Sequence, residues 1–167
     1  GCGSGAFLYL LFLNGHKVGG IDYSAPLISK ARSVFDTMDF HLGEASDLKI
    51  EPQYDIVISN GVFHYFSGFE YARKVILTML RKAVRIVAIT EVPDAALEKE
   101  SEDARRGMLP PEDYDKKYRG LEHLYFKRDW FLEFADRNNC KCSITNQNIN
   151  GYGNNRFRFN CILEKNI

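Results

Sequence analysis

A chain of 167 residues with 45% apolar and 26% charged side chains has the material for one domain with a sizeable core. Its 22 basic and 22 acidic residues cancel, which excludes a general field drawing nucleic acid or an anionic membrane surface. The longest apolar runs, 6–13 and 86–89, fall far short of the roughly 20 residues of a membrane span, and no signal-peptide pattern is present, so no membrane partner and a cytoplasmic location are expected.

Gly1-Cys2-Gly3-Ser4-Gly5 alternates glycine with small residues and runs into an apolar stretch, which predicts a tight turn opening a helix over Gly5–Asn14. That helix is apolar on every face, so burial on most sides is expected, with Gly15 as its stop. A short strand over Val18–Ile21 then ends on Asp22. Glycine lets a backbone press against a ligand, and the free N–H groups of a helix start favour an anion. An ionised carboxylate at Asp22 only accepts hydrogen bonds, which suits two vicinal ribose hydroxyls. An adenosine-containing cofactor is the natural ligand.

Ser24 caps the next helix, with Pro26 in its first turn and Leu27, Ala31, Val34, Phe35 and Met38 facing inward. A strand at Phe40–Leu42 leads through Gly43-Glu44-Ala45 to Pro52, and Tyr54–Asn60 reads as a buried parallel strand with a polar end. An aromatic loop over 61–68 precedes a helix at Phe69–Lys82, whose Arg73, Lys74, Arg81 and Lys82 are expected to face water. Val84–Thr90 is another buried strand. Charges and prolines dominate 94–118, which predicts an insertion of irregular or short helical pieces. Lys127–Asn138 is an amphipathic helix with Trp130, Phe131, Phe134 and Ala135 inward. Strands over Lys141–Gln147 and Arg156–Glu164 close the chain as an antiparallel pair. The four cysteines show no metal-ligand spacing, so no metal is expected; Cys140, Cys142 and Cys161 are read as reduced, half-buried thiols, though a disulfide among them is open.

These elements predict an α/β fold: a three-layer α/β/α sandwich around a Rossmann-like, mostly parallel sheet with an antiparallel C-terminal strand. One domain over 1–167 is expected, with an insertion or lid at about 94–126. A βαβ unit needs a strand ahead of its glycine turn, and these residues supply none. Either the sequence is a fragment or something else fills that place. Ligands of such sheets lie at the strands' carboxyl ends, where Gly1–Gly5, Asp22, Glu44 and Ser59-Asn60 would gather.

On four segments the chain resembles the class I S-adenosylmethionine-dependent methyltransferases of the small-molecule type. They are Gly1–Ala6, Gly15–Ser24, Gly43–Leu48 and Tyr54–Tyr65. The resemblance implies S-adenosyl-L-methionine as cofactor and a small-molecule methyl acceptor. It implies that Gly1, Gly3 and Gly5 pack beneath the methionine and ribose, that Asp22 holds the ribose hydroxyls, and that Tyr23 flanks the adenine. Glu44 and Ala45 would lie along the adenine edge, and Ser59 and Asn60 near the sulfonium. The missing first strand is a departure from the family, whose acidic residue there helps seat the cofactor's amino group.

Much of the catalysis of methyl transfer comes from holding two reactants in line, and a base is needed only where the acceptor must lose a proton. His123, His64 and Glu91 are the catalytic candidates, in that order. Each has a plainer reading: a packed histidine, or a carboxylate capping a turn. A nicotinamide-dinucleotide oxidoreductase also fits Gly1-x-Gly3-x-x-Ala6 with Asp22, and a truncated module that binds without turnover is the third reading.

Overall fold

The computed structural model describes residues 1–35, 39–108, 110–120 and 122–166. Helix α1 (Ala6–Leu13) opens the chain, followed by strand β1 (Gly19–Asp22), α2 (Ala25–Val34) and β2 (Asp39–Leu42). Next come β3 (Tyr54–Asn60), α3 (Phe69–Lys82) and β4 (Ala83–Pro93). The charged segment forms two short helices, α4 (Glu98–Arg106) and α5 (Pro111–Tyr118), and α6 (Arg128–Arg137), β5 (Cys140–Asn146) and β6 (Arg158–Lys165) complete the chain.

The anticipated α/β architecture is present, with β1 parallel to β2, β3 parallel to β4, and β6 inserted antiparallel between β4 and β5. The sheet is in two parts, however. β1 and β2 form one, and the order β3-β4-β6-β5 forms the other. Between β1 and β3 runs a cleft of about 700 Å³, lined by the edges of both strands and by Leu8, Leu11, Val75 and Met79.

That division explains the burial that the sequence misjudged. β3 was expected to be buried, yet Ile56 is 48% and Ile58 37% exposed, because only its β4 edge is paired and the other lines the cleft. Helix α1 has no buried residue: Leu8, Leu11 and Phe12 pack on a small core of Val18, Ile28, Ala31, Phe35 and Phe40, while Phe7, Leu10 and Leu13 face outward. A helix lying on a two-stranded sheet can cover only one of its faces. In α2 the inward stripe is Ile28, Ala31 and Phe35, one position off the expected Leu27 and Val34, which are exposed; Met38 lies outside the described residues.

Lys82 was expected in water and is buried. Its Nζ donates to the carbonyls of Lys49 (2.9 Å) and Pro52 (2.8 Å), and it sits 5.1 Å from the Tyr54 ring centroid. Burial lowers its pKa. A long stem lets a lysine at a helix end thread back to free carbonyls, which periodicity alone does not register. Val84 is likewise exposed at the start of β4. The cysteines are free thiols, with Cys142 and Cys161 sulfurs 3.7 Å apart across β5 and β6.

The main core is aromatic. Phe63, Phe126, Phe131 and Phe159 are fully buried and meet in a chain of ring contacts with centroids 5.5–5.9 Å apart. Each buries roughly 1.5–3 kcal/mol of hydrophobic free energy, with about 0.5–1.5 kcal/mol more per ring pair. This chain runs from the 61–68 loop to β6. It therefore fixes the backbone beside His64 at one end and Arg158 at the other.

Candidate active site

The glycine turn is built against β1. Cys2 N–H donates to the Ile21 carbonyl at 2.9 Å, and Gly5 N–H closes the turn on Cys2 O at 3.1 Å. Gly5 has φ +79°, and a Cβ there would stand 2.7 Å from the Phe35 ring, so this glycine lets the helix start sit on α2. Gly3, at φ +56°, is different: a Cβ there would meet nothing within 4 Å. The space above Gly3 is open, as a cradle for a ligand requires.

Asp22, 6% exposed, turns its carboxylate into this bend. Oδ2 accepts from Gly3 N–H at 2.8 Å and Oδ1 from Ser24 N–H at 2.9 Å. Each oxygen keeps a second acceptor site. Ser59 and Asn60 end β3 on the rim of the cleft, which Gly1 and Ala45 also line. Thr90 donates its hydroxyl to Asn60 Oδ1 at 2.7 Å, tying the ends of β3 and β4 together. Tyr23 is 77% exposed. Glu44 is exposed, caps its own short turn, and accepts from the Tyr71 hydroxyl at 3.3 Å.

Two of the three catalytic candidates come together, and the third, Glu91, lies near the carboxyl end of β4. His64 and His123 rings lie 4.5 Å apart, and Leu124 N–H donates to the His64 carbonyl at 2.9 Å. Arg105 Nη1 stands 2.7 Å from His123 Nδ1; because a guanidinium only donates, Nδ1 is the acceptor and the ring proton sits on Nε2. Burial, followed by His123, Arg158 and Arg105, lowers the His64 pKa to about 3, and burial with Arg105 and Arg158 lowers that of His123 to about 4. At neutral pH both are uncharged, and His123 offers a donor here. Glu91 is in the left-handed region, φ +61°, a conformation costing about 1–3 kcal/mol in a non-glycine residue. Its Oε1 is buried without a partner among the described residues, and a Cβ on Gly61 would stand 2.7 Å from Oε2.

The histidines predict an acid-sensitive fold. In the unfolded chain they take up protons near pH 6.5, whereas in the folded chain they do so only near pH 3–4. The unfolded state thus binds more protons in this window, and stability rises with pH through it. Between pH 6 and 4, denaturant melts should show a loss of up to about 1.4 kcal/mol per histidine per pH unit. A His64→Phe variant should show a visibly shallower fall; an equal fall would place the effect elsewhere.

Arg105, Tyr125, Tyr152 and Arg158 surround these groups and were not singled out in the sequence. Arg105 Nη2 lies 3.3 Å from the Tyr125 hydroxyl, and burial first, then Glu91, raises the Tyr152 pKa. The available signal was an arginine between Phe157 and Phe159, two side chains that enter the core.

A methyltransferase domain model matches residues 1–135. The chain belongs to the methyltransferase domain family. Among curated proteins it is similar to malonyl-[acyl-carrier protein] O-methyltransferase of Priestia megaterium, 31% identical over 87 residues, which are 50% of this chain but only 32% of that protein. The fold matches magnesium protoporphyrin IX methyltransferase of Synechocystis PCC 6803, solved with bound S-adenosylhomocysteine (TM-score 0.70, 17% identity, 99% of this chain and 71% of that one). It also matches the plantazolicin methyltransferase BpumL, solved with a triazolic desmethylPZN analog and S-adenosylhomocysteine (TM-score 0.73, 15% identity, 100% of this chain and 75% of that one). The methyltransferase membership favours methyl over hydride transfer at the glycine turn. Among the described residues no helix is long and apolar enough to cross a membrane.

Proposed function

We propose that this methyltransferase moves a methyl group from S-adenosyl-L-methionine to a small organic acceptor by in-line displacement. The observation that carries the reading is the Asp22 carboxylate, buried and turned into the glycine bend, with open space above Gly3 beside it. The residues present fit the cofactor: Asp22 retains acceptor sites for ribose hydroxyls, and Gly3 leaves room for the backbone to be approached closely. Tyr23, exposed next to Asp22, is placed to cover an adenine. Ala45, Ser59 and Asn60 line the cleft, and Glu44, next to Ala45, is the candidate for the adenine edge. Bound there, the cofactor supplies an electrophilic methyl on a sulfonium.

The chain's own contribution is chiefly positional, since well-oriented reactant pairs gain up to about 7–11 kcal/mol. Both histidines are too acidic to serve as efficient bases at neutral pH, so His123 Nε2–H and His64 act as orienting groups, and Glu91 is the remaining candidate for removing a proton. Calorimetry provides the test. S-adenosylhomocysteine is expected to bind and NAD to give no heat; the reverse pattern would restore the oxidoreductase reading. Binding of neither ligand by a chain with native circular dichroism would favour the non-catalytic module.

A further inference from the structure

We propose that the methyl acceptor carries a carboxylate, and that Arg158, with Arg105 and Gln147, seats it at the carboxyl end of β4. The proposal rests on the methyl-transfer reading and narrows its substrate class.

Arg158 is the first residue of β6 and pairs in register with Pro93, two residues beyond Glu91. It is only 6% exposed. Among the described residues its guanidinium makes one hydrogen bond, a long one from Nη1 to the Phe157 carbonyl at 3.5 Å, and no ion pair. Taking a guanidinium out of water costs several kcal/mol unless close anions compensate it, and Glu91 acts on Arg158 without forming an ion pair with it. Two donors on neighbouring residues lack a partner. Arg105 Nε and Gln147 Nε2 are buried without a partner among the described residues, and Gln147 is tied to Arg158 by its own N–H at 3.2 Å. Native interiors rarely leave donors unpaired.

The charge count selects the anion. Of the charged groups that act on Arg158, Glu91 is the carboxylate and Arg105 the second cation; the buried Asp94 is already paired with Arg128, and Glu102, which pairs with Arg105 at 3.8 Å, has a side chain 45% exposed to solvent. His64 and His123 are uncharged at neutral pH. About one positive charge is left over. A carboxylate neutralises it, whereas a phosphate dianion would leave one negative charge unmatched. A carboxylate's planar pair of oxygens also suits the guanidinium fork. The neighbourhood is that of Glu91 and the two histidines, so the acid group would lie beside the reacting end of the acceptor.

Matched acids and amides test this: acetate with acetamide, propionate with propionamide, and phenylacetate with phenylacetamide, plus inorganic phosphate. Each is titrated calorimetrically into the protein with and without saturating S-adenosylhomocysteine. At least one acid should bind ten-fold or more tightly than its amide and more tightly than phosphate. Arg158→Gln should abolish that preference and Arg158→Lys retain part of it; Arg105→Gln should reduce it, and provides the answer if Arg158→Gln does not fold. No acid preference in any pair, a preference unchanged in both glutamine variants, or tighter phosphate binding overturns the proposal. Failure of S-adenosylhomocysteine to bind is a separate result that strikes only the methyl-transfer reading, because the acids are also measured without it.

Discussion

Asp22→Ala should weaken S-adenosylhomocysteine binding by on the order of 10²–10⁴-fold. Two hydrogen bonds from ribose hydroxyls to a carboxylate are together worth about 3–6 kcal/mol, and each 1.4 kcal/mol is a factor of ten. The same substitution frees the N–H groups of Gly3 and Ser24 that the carboxylate now accepts, so the turn should also loosen. Asp22→Asn keeps one acceptor oxygen and should fall between the two. Calorimetric titration measures all three proteins. If Asp22→Ala binds the ligand within a few-fold of the unaltered chain, the carboxylate is a structural clamp for the bend and nothing more.

The second large effect separates two glycines that look alike in the sequence. Gly5→Val should cost about 2–5 kcal/mol of stability: roughly 1–2 for placing a branched residue in the left-handed region and 1–3 for driving it into Phe35. Gly3→Val pays the conformational part alone, because nothing lies within 4 Å of its Cβ. What Gly3→Val should lose is the cofactor, as a branched side chain fills the space above the turn. Urea melts give the first quantity, from the midpoint at constant slope, and titration with S-adenosylhomocysteine gives the second. Equal stability losses in the two variants, or undiminished binding by Gly3→Val, would contradict the assignment of that space to a ligand.

The site was legible to different depths at different residues. Asp22 could be found because a carboxylate at a strand's carboxyl end, a helix's length after a glycine turn, depends only on local order. His64, His123 and Glu91 could be named, yet their chemistry could not. Three segments distant in sequence bring Arg105 and Arg158 to them, and those cations and the burial set their protonation. Arg158 itself was hidden because β6 carries other polar residues, Asn160, Glu164 and Lys165, and its burial is set by the segments packed over it.

Residue order and hydrophobic period alone determined the succession of helices and strands, the antiparallel C-terminal pair, and the place of Asp22 at the end of β1. These are local properties: a turn, a cap or an alternation is decided within a few residues. Tertiary structure alone decided that Ile56 and Ile58 stand exposed on a cleft, that Lys82 turns inward to two carbonyls, and that a buried Arg158 without an ion pair among the described residues stands near Glu91. Burial and electrostatic environment are set by which surfaces meet, and that depends on contacts between segments far apart in the sequence, 33 residues for Lys82 and Lys49.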